Sequence, residues 1–91
     1  MKNINWRYVD TSSTSVNLPT GIQEILVIAT HNENDHPRFS ITIPYSAIPS
    51  EGINLYNGFN NVFASATVGI QFLHNEVKSS FGVSQFSVYV R

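Results

Sequence analysis

The chain has 91 residues, no cysteine, and a net charge of −1 that comes from five basic and six acidic side chains. This length suits one domain and is too short for two. So few cations cannot form the basic surface with which proteins bind nucleic acids or anionic membranes, and the lack of cysteine excludes disulfides and thiolate metal sites.

Alternation of apolar and polar residues predicts strands throughout the first half of the chain. Trp6 and Tyr8 share one face of a first strand, and residues 15–18 form a second. The third strand, residues 24–31, is apolar on both faces, so we expect it to be central in a sheet and covered on both sides. Residues 38–43 alternate after a polar loop and are predicted to be its hairpin partner.

The second half of the chain opens with residues 45–61, which are rich in Asn, Gly and Pro. They are predicted to form a long excursion with little regular structure. An apolar face that continues from Val62 to Phe72 predicts the next strand. A short strand near Val77 and a turn at residues 79–82 precede a last strand that alternates to the end of the sequence.

Six to eight short strands predict a small all-β domain, an antiparallel β-sandwich of jelly-roll type in which residues 1–91 form one unit. The predicted core contains Leu26, Ile28, Ile41, Ile43, Val68, Ile70, Phe86 and Val88. The apolar second face of the third strand needs a cover, either the long excursion or another subunit. Because one core of this size is marginal, we expect a homo-oligomer.

No pattern in the sequence predicts catalysis. It has no Gly-x-Ser-x-Gly or Ser-x-x-Lys motif and no glycine-rich phosphate loop. Nothing places two of its carboxylates across a cleft. We therefore expect no enzyme activity and no cofactor. The loop with His31, Glu33, Asp35 and His36 has two interpretations, a site for a divalent metal or a solvated hairpin loop, and no metal is assigned to it.

Residues 45–61 combine aromatic rings with amide side chains, a composition that suits an uncharged saccharide. Aromatic faces pack on sugar rings, and amides offer both donors and acceptors to hydroxyl groups. The alternative interpretation is that the rings hold a long segment onto the sandwich. The candidate ligand contacts are Tyr45, Tyr56, Asn57, Phe59 and Asn60.

Short motifs follow one another through most of the chain. They are Trp6, Ser-Val-Asn-Leu-Pro at 15–19, Glu-Ile-Leu-Val at 24–27, Ile-Thr-Ile-Pro at 41–44 and Ser-Val-Tyr-Val-Arg at 87–91. In this order they resemble the small C-terminal β-sandwich domains of tail fibre and baseplate proteins from phages and prophages of Gram-positive bacteria.

The resemblance implies a structural or receptor-binding module of a virion, assembled in the bacterial cytoplasm. Its expected partners are two further copies in a homotrimer, other virion proteins and a cell-surface saccharide, with no nucleic acid and no membrane. The chain would be either a standalone protein or an excised domain. The alternative function is a non-enzymatic interaction or particle-decoration protein that has no glycan ligand.

Overall fold

The structure, a computed structural model, describes residues 5–33 and 37–91. In this part of the chain the secondary structure is almost entirely strand. The strands are β1 (Arg7–Ser12), β2 (Ser15–Asn17), β3 (Glu24–His31), β4 (Arg38–Pro44), β5 (Ile53–Asn60), β6 (Ser65–Phe72), β7 (Glu76–Phe81) and β8 (Val83–Val90), with one 3-10 turn at Tyr45–Ala47.

The strands form two antiparallel four-stranded sheets. Sheet 1 has the order β1-β8-β3-β4, and sheet 2 has the order β2-β7-β6-β5. The predicted all-β sandwich is confirmed. The central position of β3 and its hairpin with β4 are also as predicted, and the structure adds β8 as the other neighbour of β3.

Each strand gives alternate side chains to one core between the sheets. On β3 the buried residues are Ile25, Val27 and Ala29, and the facing strand β6 contributes among others Ile70 and Phe72. Full burial of an aliphatic or aromatic side chain of this size stabilises the fold by about 1.5–3 kcal/mol. Six predicted core residues are indeed buried: Ile41, Ile43, Val68, Ile70, Phe86 and Val88.

Leu26 and Ile28, which were predicted in the core, instead lie half-buried on the outer face of sheet 1. Strand residues point alternately to opposite faces, so only one of the two apolar sets of β3 can point inward. The pairing with β4 shows which set points outward. Leu26 lies opposite Thr42 and Ile28 lies opposite Ser40, and the side chains of Thr42 and Ser40 are exposed. A strand that is apolar on both faces leaves this choice open in the sequence.

Residues 45–61, predicted to lack regular structure, contain the 3-10 turn and the whole of β5. β5 pairs with β6 along its full length, from Ile53 opposite Phe72 to Asn60 opposite Ser65. Asn and Gly disfavour strands intrinsically, but pairing with a buried neighbour overrides this preference. The segment therefore builds an edge of sheet 2, and it does not cover the outer face of β3.

The apolar face predicted from Val62 onward is correct only from Ala66, because β6 begins at Ser65. Val62 and Phe63 lie at the tip of the β5–β6 hairpin and are 92% and 94% exposed. The Asn61 side chain closes this tip, since its Oδ1 accepts hydrogen bonds from the backbone N–H groups of Phe63 and Ala64, both at 2.9 Å.

The chain passes between the sheets at sharp corners. Between β7 and β8 the only residue is Gly82, whose φ of 67° is in the left-handed region. A Cβ at this position would lie 2.4 Å from the Thr67 carbonyl oxygen, so the corner accepts no side chain. At the β1–β2 corner the Ser12 hydroxyl accepts hydrogen bonds from the N–H groups of Thr14 and Ser15.

The orientation of β3 can be tested with two isoleucines of the same strand. Ile25→Ala should lower the free energy of unfolding by about 2–5 kcal/mol, because it leaves a cavity between the sheets. Ile28→Ala should cost only about 1 kcal/mol, because the outer side chain is partly solvated already. Urea denaturation measures both, and equal losses would show that the assigned faces of β3 are wrong.

The Gly82 corner can be tested against a second glycine with a similar backbone. Gly82→Ala combines left-handed strain with a clash against backbone and should destabilise by about 3 kcal/mol or more. Gly21, with a φ of 76°, has no atom within 4 Å of the position that a methyl group would take, so Gly21→Ala should cost only about 1 kcal/mol of strain. Thermal unfolding of the two variants distinguishes steric exclusion from backbone strain alone.

Candidate functional site

Tyr45 lies apart from the other four candidate ligand contacts. Its hydroxyl donates to the carbonyl of His74 at 2.8 Å, and its ring meets the His74 ring edge-on with centroids 5.5 Å apart. It lines a groove of about 440 Å³ with Ile22, Gln23 and neighbouring residues. These contacts hold the connection after β4 against the turn between β6 and β7, which is a structural role.

Asn57 and Phe59 lie on the inner side of edge strand β5. The Asn57 amide donates to the carbonyl of Ser40 on β4 at 2.9 Å, and so joins the two sheets along one side of the sandwich. The Phe59 ring is stacked on buried Phe39 with centroids 6.0 Å apart. For these two residues the structure favours the interpretation in which the segment is held onto the sandwich.

Tyr56 and Asn60, by contrast, point away from the core on the outer face of sheet 2. Tyr56 is 59% exposed and lies directly opposite Gly69 on β6. A Cβ on Gly69 would come within 2.6 Å of the Tyr56 ring, so the ring occupies space that a side chain at position 69 would fill. The ring therefore lies against the backbone at Gly69 and is still more than half exposed to solvent.

A second exposed aromatic, Phe81, lies on the other side of Gly69. It pairs with Gly69 from β7 and is 58% exposed. Since neighbouring strands are about 4.8 Å apart, the backbones of Tyr56 and Phe81 are separated by about 10 Å. From the sequence alone, Phe81 is predicted to lie in a turn. Its strand position depends on an irregularity in pairing between Gly69 and Ile70, which alternation alone does not reveal.

We call the surface formed by Tyr56, Gly69 and Phe81 the aromatic platform. Uncharged polar side chains surround it on the outer face of sheet 2: Asn54, Asn60, Thr67 and Gln71. Within the described part of the chain these four side chains make no hydrogen bonds to the protein, so their donors and acceptors face solvent. The charged residues Lys78 and Glu76 of β7 lie on this face, and Glu33 lines a groove beside Phe81.

Two shallow grooves of similar size flank the platform and share Thr67. One, of about 400 Å³, is lined by Tyr56, Asn60 and their β5 neighbours. The other, of about 390 Å³, runs between Phe81 and the loop that carries His31 and Glu33. The hairpin β5–β6 has no charged residue, since none occurs in the sequence between Glu51 and Glu76. The face therefore offers apolar surface and neutral hydrogen-bonding groups side by side.

The structure describes only part of the histidine loop. Asp35 and His36 lie outside the described residues. His31 Nδ1 accepts a hydrogen bond from the backbone N–H of Glu33 at 3.1 Å, which directs that nitrogen into the loop itself. Among the residues that the structure describes, no three His, Asp or Glu side chains are grouped as they would be around a metal ion.

No protein-family model, curated protein or solved structure matches this chain. No helix in residues 5–33 and 37–91 is long and apolar enough to cross a membrane.

The contact between Tyr56 and Gly69 can be measured with a double-mutant cycle. Gly69→Ala should destabilise the protein by about 1–2 kcal/mol, because its methyl group displaces the Tyr56 ring. In a Tyr56→Ala background the same change should cost about 1 kcal/mol less, since the ring is gone. Urea denaturation of the four proteins gives the coupling. A coupling of zero would mean that the ring does not lie over Gly69.

Proposed function

We propose that this chain is a non-enzymatic adhesion domain that binds a neutral saccharide on the outer face of sheet 2. The observation that carries the proposal is the aromatic platform: two exposed rings on either side of a strand glycine, surrounded by amide and hydroxyl groups without partners in the described part of the protein. As the sequence resemblance implies, the domain would belong to a phage tail or baseplate and recognise the surface of a Gram-positive host.

The chemistry of the platform suits a sugar ring. The C–H groups of a pyranose pack on aromatic faces, and Tyr56 and Phe81 are two exposed aromatic rings on one side of sheet 2. Asn54, Gln71 and Thr67 offer both donors and acceptors to hydroxyl groups of the sugar. The two strands that carry the rings lie about 10 Å apart with β6 between them, and a surface that spans three strands suits an extended oligosaccharide better than a single monosaccharide.

A neutral ligand is favoured over a phosphate-rich one. On this face Lys78 is accompanied by Glu76 on the same strand, and the β5–β6 hairpin has no charge with which to attract an anion. A flat surface buries little of its ligand, so we expect a dissociation constant between about 1 µM and 1 mM. Display of several copies on a virion, for which the resemblance implies trimers, would convert weak single-site binding into firm attachment.

The second candidate function is a particle-decoration or interaction protein without a glycan ligand. A specific observation favours it as well: the outer face of sheet 1 carries apolar side chains in a row across three strands, where Leu26 and Tyr89 are opposite one another. Such a face is typical of contacts between proteins and does not require a saccharide. The two functions differ in which face of the sandwich is essential.

The platform can be tested by titrating short neutral oligosaccharides into the protein and following amide chemical shifts by NMR. Tyr56→Ala and Phe81→Ala should each weaken binding at least about tenfold, because each removes one stacking surface. Both residues are more than half exposed, so the melting temperature should change little. Adsorption of the variants to host cells should fall in parallel.

Tyr8→Ala is the matched control, because Tyr8 is 54% exposed but lies on the opposite face of the sandwich. Soluble oligosaccharide is used so that valency does not enter the measurement. The proposal is wrong if Tyr56→Ala and Phe81→Ala bind as tightly as the wild type, or if no neutral oligosaccharide shifts residues of sheet 2. That result would leave the decoration protein as the better-supported function.

A further inference from the structure

Sheet 2 has a notch on its outer face, where β7 ends before it reaches the end of β6. β7 stops at Phe81, which pairs with Gly69, whereas β6 extends back to Ser65. In the described part of the chain this first half of β6 pairs only with β5. Its outward side chains, Ser65 and Thr67, are exposed. They line the groove of about 390 Å³ that begins at the Phe81 ring.

The bottom of this groove is the corner at Gly82, where three parts of the chain come close together. A Cβ at position 82 would lie 2.4 Å from the Thr67 carbonyl oxygen. It would also lie 3.4 Å from Cδ2 and 3.5 Å from Nε2 of the His31 ring. Because glycine has no side chain, the loop that follows β3 can lie directly beside β6.

Two hydrogen bonds hold the start of that loop at the corner. The backbone N–H of Asn32 donates to the carbonyl of Gly82 at 2.9 Å. The backbone N–H of Glu33 donates to Nδ1 of His31 at 3.1 Å. The course of the backbone is therefore fixed as far as Glu33, and this residue forms the wall of the groove that faces away from β6.

Glu33 determines the charge of the groove. The other described residues that line it include no Asp, Lys or Arg. Glu33 is exposed, and its carboxylate makes no hydrogen bond or ion pair with the described residues. An ionised carboxylate only accepts hydrogen bonds, whereas the hydroxyls of Ser65 and Thr67 both donate and accept. The groove thus combines a charged acceptor, two hydroxyls and the Phe81 ring.

We propose that this groove is the subsite that selects one sugar residue of the bound oligosaccharide, and that Glu33 determines its specificity. This proposal rests on the proposed function, since Phe81 belongs both to the aromatic platform and to the groove. The Glu33 carboxylate accepts hydrogen bonds from two adjacent hydroxyl groups of a sugar that packs on Phe81. The oligosaccharide continues over Thr67, which lines both grooves, towards Tyr56.

The groups in the groove discriminate between sugar substituents. A carboxylate or phosphate on the sugar is repelled by Glu33, and no Lys or Arg among the lining residues offsets this repulsion. An ammonium group forms only an exposed ion pair, which contributes little in water, and cannot accept from Ser65 or Thr67. Adjacent hydroxyls donate to the carboxylate and accept from the side chains on β6. An unsubstituted neutral hexose therefore makes the most contacts.

Glu33→Gln tests this assignment, because it removes the charge and keeps the size of the side chain. In NMR titrations a neutral hexose tetrasaccharide should bind the variant at least about fivefold more weakly. The tetrasaccharide of the matching uronic acid should bind it about threefold more tightly than it binds the wild type, since repulsion is lost. A general disturbance of the site would weaken both. Glu33 is exposed, so the melting temperature should not change.

Glu76→Gln is the matched control. Glu76 carries the same charge on the same face of sheet 2 but does not line the groove. This variant should bind both tetrasaccharides like the wild type. In the wild type, the neutral tetrasaccharide should shift the amide signals of Asn32 and Gly82 together with that of Tyr56, because one ligand spans both grooves.

The possible failures are distinguishable. If Glu33→Gln binds the neutral tetrasaccharide as tightly as the wild type while Tyr56→Ala still weakens binding, the subsite is wrong and the proposed function stands. Shifts confined to Tyr56 and its β5 neighbours lead to the same conclusion. If no neutral tetrasaccharide shifts any residue of sheet 2, both are wrong. A 2-amino-2-deoxy tetrasaccharide that binds the wild type more than about tenfold tighter than the neutral one would overturn the assignment to hydroxyls.

Discussion

The fold depends on burying one face of each sheet in a single core, and every other feature follows from that constraint. With 91 residues the chain can build two sheets of four strands and no third layer. Each strand gives half of its side chains to the core, where residues such as Val27, Val68 and Val88 are fully buried. The other half must face outward, and in so small a domain these outer faces are most of the surface.

The outer faces of the two sheets carry different side chains. On sheet 1 the hydroxyls of Tyr8, Thr11 and Ser87 are hydrogen-bonded to one another, while Ser40 and Thr42 on β4 are exposed. On sheet 2 the amides around Tyr56 and Phe81 have no partners in the described part of the protein, so a ligand with hydroxyl groups can supply them. Unpaired groups at a surface cost nothing while water solvates them, and they become specific contacts when a ligand replaces that water.

Two glycines determine the shape of the candidate site although neither offers a side chain to a ligand. Gly82 lets the chain turn from sheet 2 into sheet 1 within one residue, which leaves Phe81 as the last residue of β7 and exposes its ring. Gly69 leaves a gap on β6 that the Tyr56 ring fills. The spacing of the two rings is thus a consequence of backbone positions where any Cβ would collide with a neighbour.

The sequence by itself determined the class of fold, because alternation with a period of two is a local property that any pairing of strands preserves. It also identified Tyr56 and Asn60 among its candidates and marked β3 as apolar on both sides. It could not determine which side of β3 faces the core, since both are apolar and only the register with β4 distinguishes them. It missed β5, where pairing with β6 outweighs the poor strand propensity of Asn and Gly. The sequence also does not show that Tyr56 and Phe81 are neighbours, because each of them pairs with Gly69 on the strand that lies between theirs. Cross-strand neighbours and bulges are long-range contacts, so the tertiary structure alone decided which side chains share a face.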